Sequence, residues 1–373
     1  MSELKKTILY NWHKEHGQIV DFEGWAMPVR YTDITKEHMA VRENCGIFDV
    51  SHMGRILIKG KGAFDLLDTL VARDLSKVKL TQAAYTFMLN ERGGFRDDVI
   101  VTKFADDDWL LVCNAGNLDK IWGWVQLHAK NFDVQLDNRS SKSAMVAVQG
   151  PKAREIISSM TDDELPGRFR AGWITLNGQK VLFSGTGYTG EDGGEITLFD
   201  DSPDLEKKAT KLWNSFIEKG VEPCALGARD TLRLEAAYSL YGNDMDEDTH
   251  VLESSLAFIP FAHIHKERNY IGKEAVLAKE GKEEKFRVFF KLLDKGVARH
   301  GYPVIVDGKE AGIVTSGTRS PLTKEFIGMA YIPFELKEIG SHFNVQVKKK
   351  VLKAEVTPFP IYDTKKYGYA REH

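Results

Sequence analysis

Strand-period and helix-period segments alternate through the first two thirds of this chain, which restricts it to folds in which helices cover sheets. Arg55 to Lys59 reads as a strand. Ala63 to Val71 puts Ala63, Phe64, Leu67, Leu70 and Val71 on one helical face. Strands are expected near Ala84 to Leu89, Asp98 to Phe104 and Trp109 to Cys113, then a helix carrying Leu118, Ile121, Trp122 and Val125. Strand, helix, strands, helix is an α+β unit, and a comparable unit recurs. Ala144 to Val148 is apolar, and Lys152 to Met160 sets Ala153, Ile156, Ile157 and Met160 at helical spacing. Leu205 to Lys219 forms a stripe of Leu205, Ala209, Leu212, Trp213, Phe216 and Ile217, with Gly220 where a left-handed cap is expected.

Lys279 to Lys285, rich in lysine and glutamate, reads as a solvated helix end or linker, and strand patterns dominate beyond it. Tyr302 to Val306 and Glu310 to Val314 flank Asp307-Gly308, a strong hairpin signal. Arg287 to Leu293 and Phe343 to Val356 supply further strands, so a small β-barrel or sandwich is expected there. At about 100 to 200 residues per domain, the 373 residues make two or three domains.

Charge excludes several classes. A formal net charge of -3 lacks the basic footprint of a nucleic-acid binder. Cys45, Cys113 and Cys224 are odd in number and widely spaced, so neither a disulfide framework nor a zinc knuckle follows. Reduced thiols in the cytoplasm are expected. The segment Met1 to Thr7 lacks the apolar core of a signal peptide, and no stretch reaches about 18 apolar residues, so no membrane association is expected.

The chemistry-bearing motifs begin with Gly93-Gly94-Phe-Arg-Asp97-Asp98-Val-Ile-Val101. Two carboxylates sit between a glycine hinge and a β-branched run that favours a strand. Neighbouring strand residues face opposite sides, so one aspartate can be solvated while the other is functional. Both can also simply cap backbone N–H groups at a turn. Gly185-Thr-Gly187-Tyr-Thr-Gly190 matches the dinucleotide fingerprint, but that fingerprint needs a helix opening at its third glycine. Here acidic residues and the strand-like Ile196 to Phe199 follow instead. In the helix-forming run Ala225 to Tyr238, Arg229 and Arg233 stand four apart on one face and repel. They require acidic partners such as Asp230 and Glu235, or an anion held against the face. His52 reads as a satisfied core or turn histidine rather than a base paired with Cys45.

Taken together, the ordered motifs resemble the aminomethyltransferases, or T-proteins, of the glycine cleavage system, over nearly the whole chain. The residues that carry this are Val20 to Trp25 with Met27-Pro28, Phe48 to Gly54, Asn90 to Gly94 with Asp97-Asp98, and Gln149 to Ala153. Thr186 to Gly193, Gly227 to Glu235, Tyr241 to Asp246, Ile271 to Glu274, Arg299 to Tyr302 and Thr315 to Thr318 match as well. The resemblance implies a three-domain α+β cloverleaf around a central folate-binding channel, with a C-terminal β-barrel-like domain. Its domains would be 1–52 with 137–241, a ferredoxin-like 53–136 with 242–275, and 276–373.

The implied reaction moves a one-carbon unit from an aminomethyl group on the lipoyl arm of H-protein to tetrahydrofolate, releasing ammonia. Asp98 matches the family's catalytic position, where a carboxylate orients the amine, handles protons and stabilises positive charge. Glu195 matches the acid that binds the pterin's amino edge. Tyr85, Asn114, Tyr188 and Tyr238 match folate-lining positions, and Arg229 and Arg371 match substrate-contacting arginines. No metal is implied. The chain departs from the pattern at Gly185, usually Arg, at Gly194, usually larger, at Thr249-His250, usually Thr-Pro, and over Phe258 to His265. Two alternatives are a related folate-dependent demethylase of a small methylated donor and a non-catalytic folate-binding protein. The Lys-Gly-Cys-Tyr-type signature of the latter is absent.

Overall fold

The computed structural model describes residues 3–258 and 264–372. Part of the Phe258 to His265 segment, residues 259–263, therefore lies outside the described residues. Three sheets organise the chain, together with a hairpin of Gln18–Phe22 and Trp25–Arg30. Among the described residues no helix is long and apolar enough to cross a membrane.

The first sheet runs Ala171–Leu176, Gln179–Ser184, Gly193–Phe199, Ser143–Gln149, Gly46–Asp49, Glu222–Pro223, antiparallel except for its last pair. Its centre explains the uninterrupted apolar run at 144–148. Ala144, Val146 and Val148 join the core under the helix Leu205–Ile217. Met145 and Ala147 face the other way, into a core shared with Ala228 and Leu232 of the helix Leu226–Glu235. A strand buried on both faces has no polar alternation to show.

The second sheet runs Ala83–Leu89, Phe95–Ala105, Asp108–Cys113, Gly54–Lys59, Gln135–Asn138, all antiparallel. With the helices Ala63–Leu70 and Leu118–Ala129, its last four strands follow a β-α-β-β-α-β order along the chain. The helix Leu118–Ala129 turns the expected face inward: Leu118, Ile121 and Val125 join the core, Trp122 packs against it, and Trp124 is buried there as well.

Beyond Lys285 the strands close into a barrel, which decides between barrel and sandwich. Its order is Lys285–Leu292, Phe326–Pro333, Lys309–Arg319, Pro303–Val306, His342–Val347, Lys350–Val356. Asp307 and Gly308 both have positive φ, 49° and 76°, as a two-residue type I′ turn requires.

Asp244 joins these parts. Its carboxylate accepts from Arg233 Nη1 at 2.6 Å, Thr315 Oγ1 at 2.5 Å, Ser316 Oγ at 2.7 Å and the Leu240 amide at 2.9 Å. Its carbonyl accepts from Tyr331 Oη at 2.9 Å and Arg287 Nη1 at 3.1 Å. One buried side chain thus ties the helix Leu226–Glu235 to the barrel.

Candidate active site

The strand Phe95–Ala105 starts with a bulge. Phe95 pairs with Leu89 and Asp97 with Met88, leaving Arg96 as the extra residue, a device that re-aims side chains beside functional sites. Asp97 is fully buried and fixed by three donors: the Asn114 amide at 3.0 Å, Asn114 Nδ2 at 2.8 Å and Asn117 Nδ2 at 2.7 Å. Asp98 accepts from Tyr85 Oη at 3.0 Å and from the same Asn114 Nδ2 at 2.7 Å. The expectation of one solvated aspartate therefore gives way: Asn114, at the end of the strand Asp108–Cys113, reaches across and touches both carboxylates. Burial raises both, and the Asp98 charge raises Asp97 further. The Tyr85 and Asn114 hydrogen bonds and the Arg287 guanidinium act in the opposite sense on Asp98.

Arg229 and Arg233 separate into different roles. Arg233 is sealed in and paired with Asp244 and, at 2.8 Å, with Asp230. Glu235 goes instead to Arg42 at 2.9 Å and His38 at 3.0 Å. Arg229 is left with its guanidinium 4.6 Å above the Tyr188 ring, and among the described residues nothing accepts a hydrogen bond from its buried Nη1. Burial lowers its pKa, while Tyr188 and Glu195 hold it up. A guanidinium so placed is a ready partner for a planar anion.

Glu195 lies on the strand Gly193–Phe199 and accepts from Thr186 Oγ1 at 2.5 Å. With Ile100, Thr102, Val112, Ser184 and Thr186 it lines a narrow cleft between the first two sheets, about 20 Å³ in volume. Burial raises the Glu195 carboxyl. Tyr188 packs against Tyr238 at 5.9 Å between centroids and donates its hydroxyl to Ser239 O. Tyr85, Asp98 and Asn114 thus form one hydrogen-bonded group, and Arg229, Tyr188 and Tyr238 a stacked one; Asp98 and Arg229 both act electrostatically on Tyr188, and Glu195 acts on Arg229. All seven are half-buried, whereas Asp97, Arg233, Glu235 and Asp244 are sealed. Arg371 stands apart from them, in an ion pair with Glu191.

The dinucleotide-like glycines have packing reasons instead. At Gly187 a Cβ would fall 1.9 Å from Gln149 Oε1; Gly190 has φ +80°, and its Cβ would lie 2.3 Å from the Tyr362 hydroxyl. No helix follows Gly190; the strand Gly193–Phe199 does. His52 is a correction to the satisfied-histidine expectation, since its buried Nδ1 has no partner among the described residues. Burial pushes its pKa down to about 3, so it is neutral. Cys45 is not a nucleophile beside it, because burial pushes that thiol up to about 12. No His, Cys, Asp or Glu cluster among the described residues has the makings of a metal site. Arg287, Asn117 and Asp244 escaped sequence reasoning. Arg287 acts on Asp98 from a barrel strand nearly 200 residues away, and no local pattern marks such a residue.

Residues 9–261 match the GCVT N-terminal domain and residues 285–363 the Glycine cleavage T-protein C-terminal barrel domain. The chain belongs to the glycine cleavage T-protein family. The aminomethyltransferase of Staphylococcus haemolyticus is 46% identical over 362 residues, covering 95% of this chain and 97% of its own. That of Alkaliphilus oremlandii is 42% identical, covering 97% and 98%. The crystal structure of the glycine cleavage system aminomethyltransferase T from Bartonella henselae superposes with a TM-score of 0.89 at 29% identity, covering 98% of this chain and 99% of that one. The chain is thus an enzyme with a T-protein fold. Two departures from the T-protein pattern are compensated by packing. Gly194 faces the Phe183 ring, 2.3 Å from where a Cβ would stand, and Gly185 lies against the Gly167 carbonyl, 2.2 Å from its own.

Proposed function

We propose that this T-protein transfers the one-carbon unit of an aminomethyl group, presented on the lipoyl arm of H-protein, to tetrahydrofolate in the cytoplasm, with release of ammonia. The observation that carries the reading is the Arg229 guanidinium stacked on Tyr188, its buried Nη1 without a partner among the described residues, with an Asp98 held by Tyr85 and Asn114 acting electrostatically on the same tyrosine. Folate offers what such a site lacks: carboxylates for a bare guanidinium, a flat ring for tyrosine faces, and an amino edge for Glu195. The fit is good on each count. When bound, folate supplies the nitrogens that receive the carbon.

The chain's own residues supply the rest. Asp98, when ionised, stabilises positive charge at the transferred carbon and accepts a proton, while Tyr85 and Asn114 hold the carboxylate in one orientation. Glu195, steadied by Thr186, orients the pterin. Tyr188 and Tyr238 exclude water beside it, and Arg229 anchors an acidic group. We also propose the division 1–52 with 137–241, 53–136 with 242–275, and 276–373, arranged as a cloverleaf about the folate channel. Incubation of the purified enzyme with tetrahydrofolate and aminomethyl-loaded H-protein should yield ammonia and 5,10-methylenetetrahydrofolate; production of neither sinks the reading.

A further inference from the structure

After the last barrel strand the chain returns to the first sheet and grips the loop that carries Tyr188. Glu191, buried in that loop, accepts from Arg42 Nη1 at 3.0 Å, from the Gly368 amide at 3.0 Å and from Arg371. Tyr369 donates its amide to Gly190 O at 2.9 Å, and Arg42 donates to Thr189 O at 2.8 Å. Arg371 is itself oriented by Gly368 O at 3.2 Å and Arg42 O at 3.4 Å. Arg168 lies 3.0 Å from the Tyr369 ring centroid and acts electrostatically on Tyr238, the ring partner of Tyr188.

Charge counting explains why Arg371 belongs there. Two guanidiniums, Arg42 and Arg371, face two carboxylates, Glu191 and Glu235, and the third neighbour, His38 beside Glu235, has its pKa lowered by burial and adds no fixed charge. Withdrawing Arg371 leaves a carboxylate in excess inside the protein, an arrangement that costs heavily. A guanidinium already committed in this way has little left to offer a ligand.

We propose that Arg371 is a positioning residue, which through Glu191 fixes the Thr186–Glu191 loop so that Tyr188 sits beneath Arg229 and against Tyr238. The inference rests on the reading that Tyr188 and Arg229 line the folate site. It replaces the direct substrate contact that the family resemblance implies for Arg371.

The test uses the full chain as R371Q, E191Q, the double variant and R371K. Tetrahydrofolate is titrated into each, and backbone hydrogen exchange at residues 188–191 is followed without ligand. R371Q and E191Q should each raise the folate dissociation constant by roughly tenfold, the double variant no further, and both should speed exchange in the loop. R371K should recover most of the loss. Direct ligand contact predicts instead that R371Q weakens binding while E191Q does not, or that their effects multiply; either result overturns the proposal. If E191Q does not fold, unchanged loop exchange in R371Q overturns it and faster exchange supports it. Failure of the unmodified enzyme to bind folate would count against the functional reading, while the exchange data still judge the strap.

Discussion

Asp97 and Asp98 are adjacent and chemically identical, share Asn114, and differ in how far they are sealed from solvent. Asp97 receives three donors from the Asn114 to Asn117 corner and holds that corner in place. Replacing it with Ala leaves those buried donors bare, and we expect a loss of about 1–3 kcal/mol, measurable by denaturant unfolding. Asp98 receives two donors and keeps some exposure. Asp98→Asn should preserve folding and folate binding while slowing transfer by about 10²–10⁴-fold; unchanged turnover would remove Asp98 from the mechanism. The pH dependence follows in sign. Burial raises this carboxyl, so activity should fall as pH drops through a range above that of an ordinary carboxylate. For stability the sense reverses: the folded pair binds protons more tightly than the unfolded chain. Its contribution therefore declines as pH rises from the ordinary carboxylate value through the raised one. A pH–rate profile beside pH-dependent unfolding separates the two.

Elements do their work here by distributing residues rather than grouping them. The helix Leu226–Glu235 sends Arg229 to the site, Arg233 to the barrel and Glu235 to Arg42. The turn before Asp97 depends on a second segment. Val251 donates its amide to Gly93 O at 2.9 Å, and the His250 ring covers Gly93, with Nε2 2.5 Å from where a Cβ would stand. His250 Nδ1 accepts from the Leu252 amide at 3.3 Å, which requires the neutral ring. Burial lowers its pKa from 6.5, with Glu253 and Glu283 opposing and Lys279 assisting. A histidine whose folded value is lowered contributes stability above its unfolded value and loses it as pH falls below. His250→Asn keeps an acceptor without a titration, so its unfolding free energy should fall less steeply below pH 6.5 than that of the parent. Equal slopes would exclude this role.

At the scale of the molecule, the site exists because three separately built sheets meet. Asp244 fastens the barrel to the helix that carries Arg229, and Arg287 acts electrostatically on Asp98 from the barrel itself. Asp244→Ala leaves Arg233 buried without its main partner, at an expected loss of about 3–5 kcal/mol. Calorimetry should then show the barrel melting apart from the rest, where the parent unfolds in one transition. A single unshifted transition would show that Asp244 does not couple them.

Much of this was legible in the sequence, because amphipathic periods and turn chemistry are local. The helix at 205–217, the Asp307-Gly308 hairpin and the strand runs follow from nearest neighbours alone. The motifs carried the family, and with it Asp98, Glu195 and Arg229. What local pattern could not specify was which of several equal side chains finds a partner. Arg229 and Arg233 are indistinguishable on a helical wheel, yet one is neutralised by a residue of the following loop and the other is left bare. Asp97 and Asp98 differ because Asn114 arrives from a neighbouring strand, and the place of Arg371 is set by Glu191, 180 residues earlier. Pairing and burial of charge are long-range properties, so the sequence determined the elements and the chemistry available, and tertiary packing decided which charges were left to act.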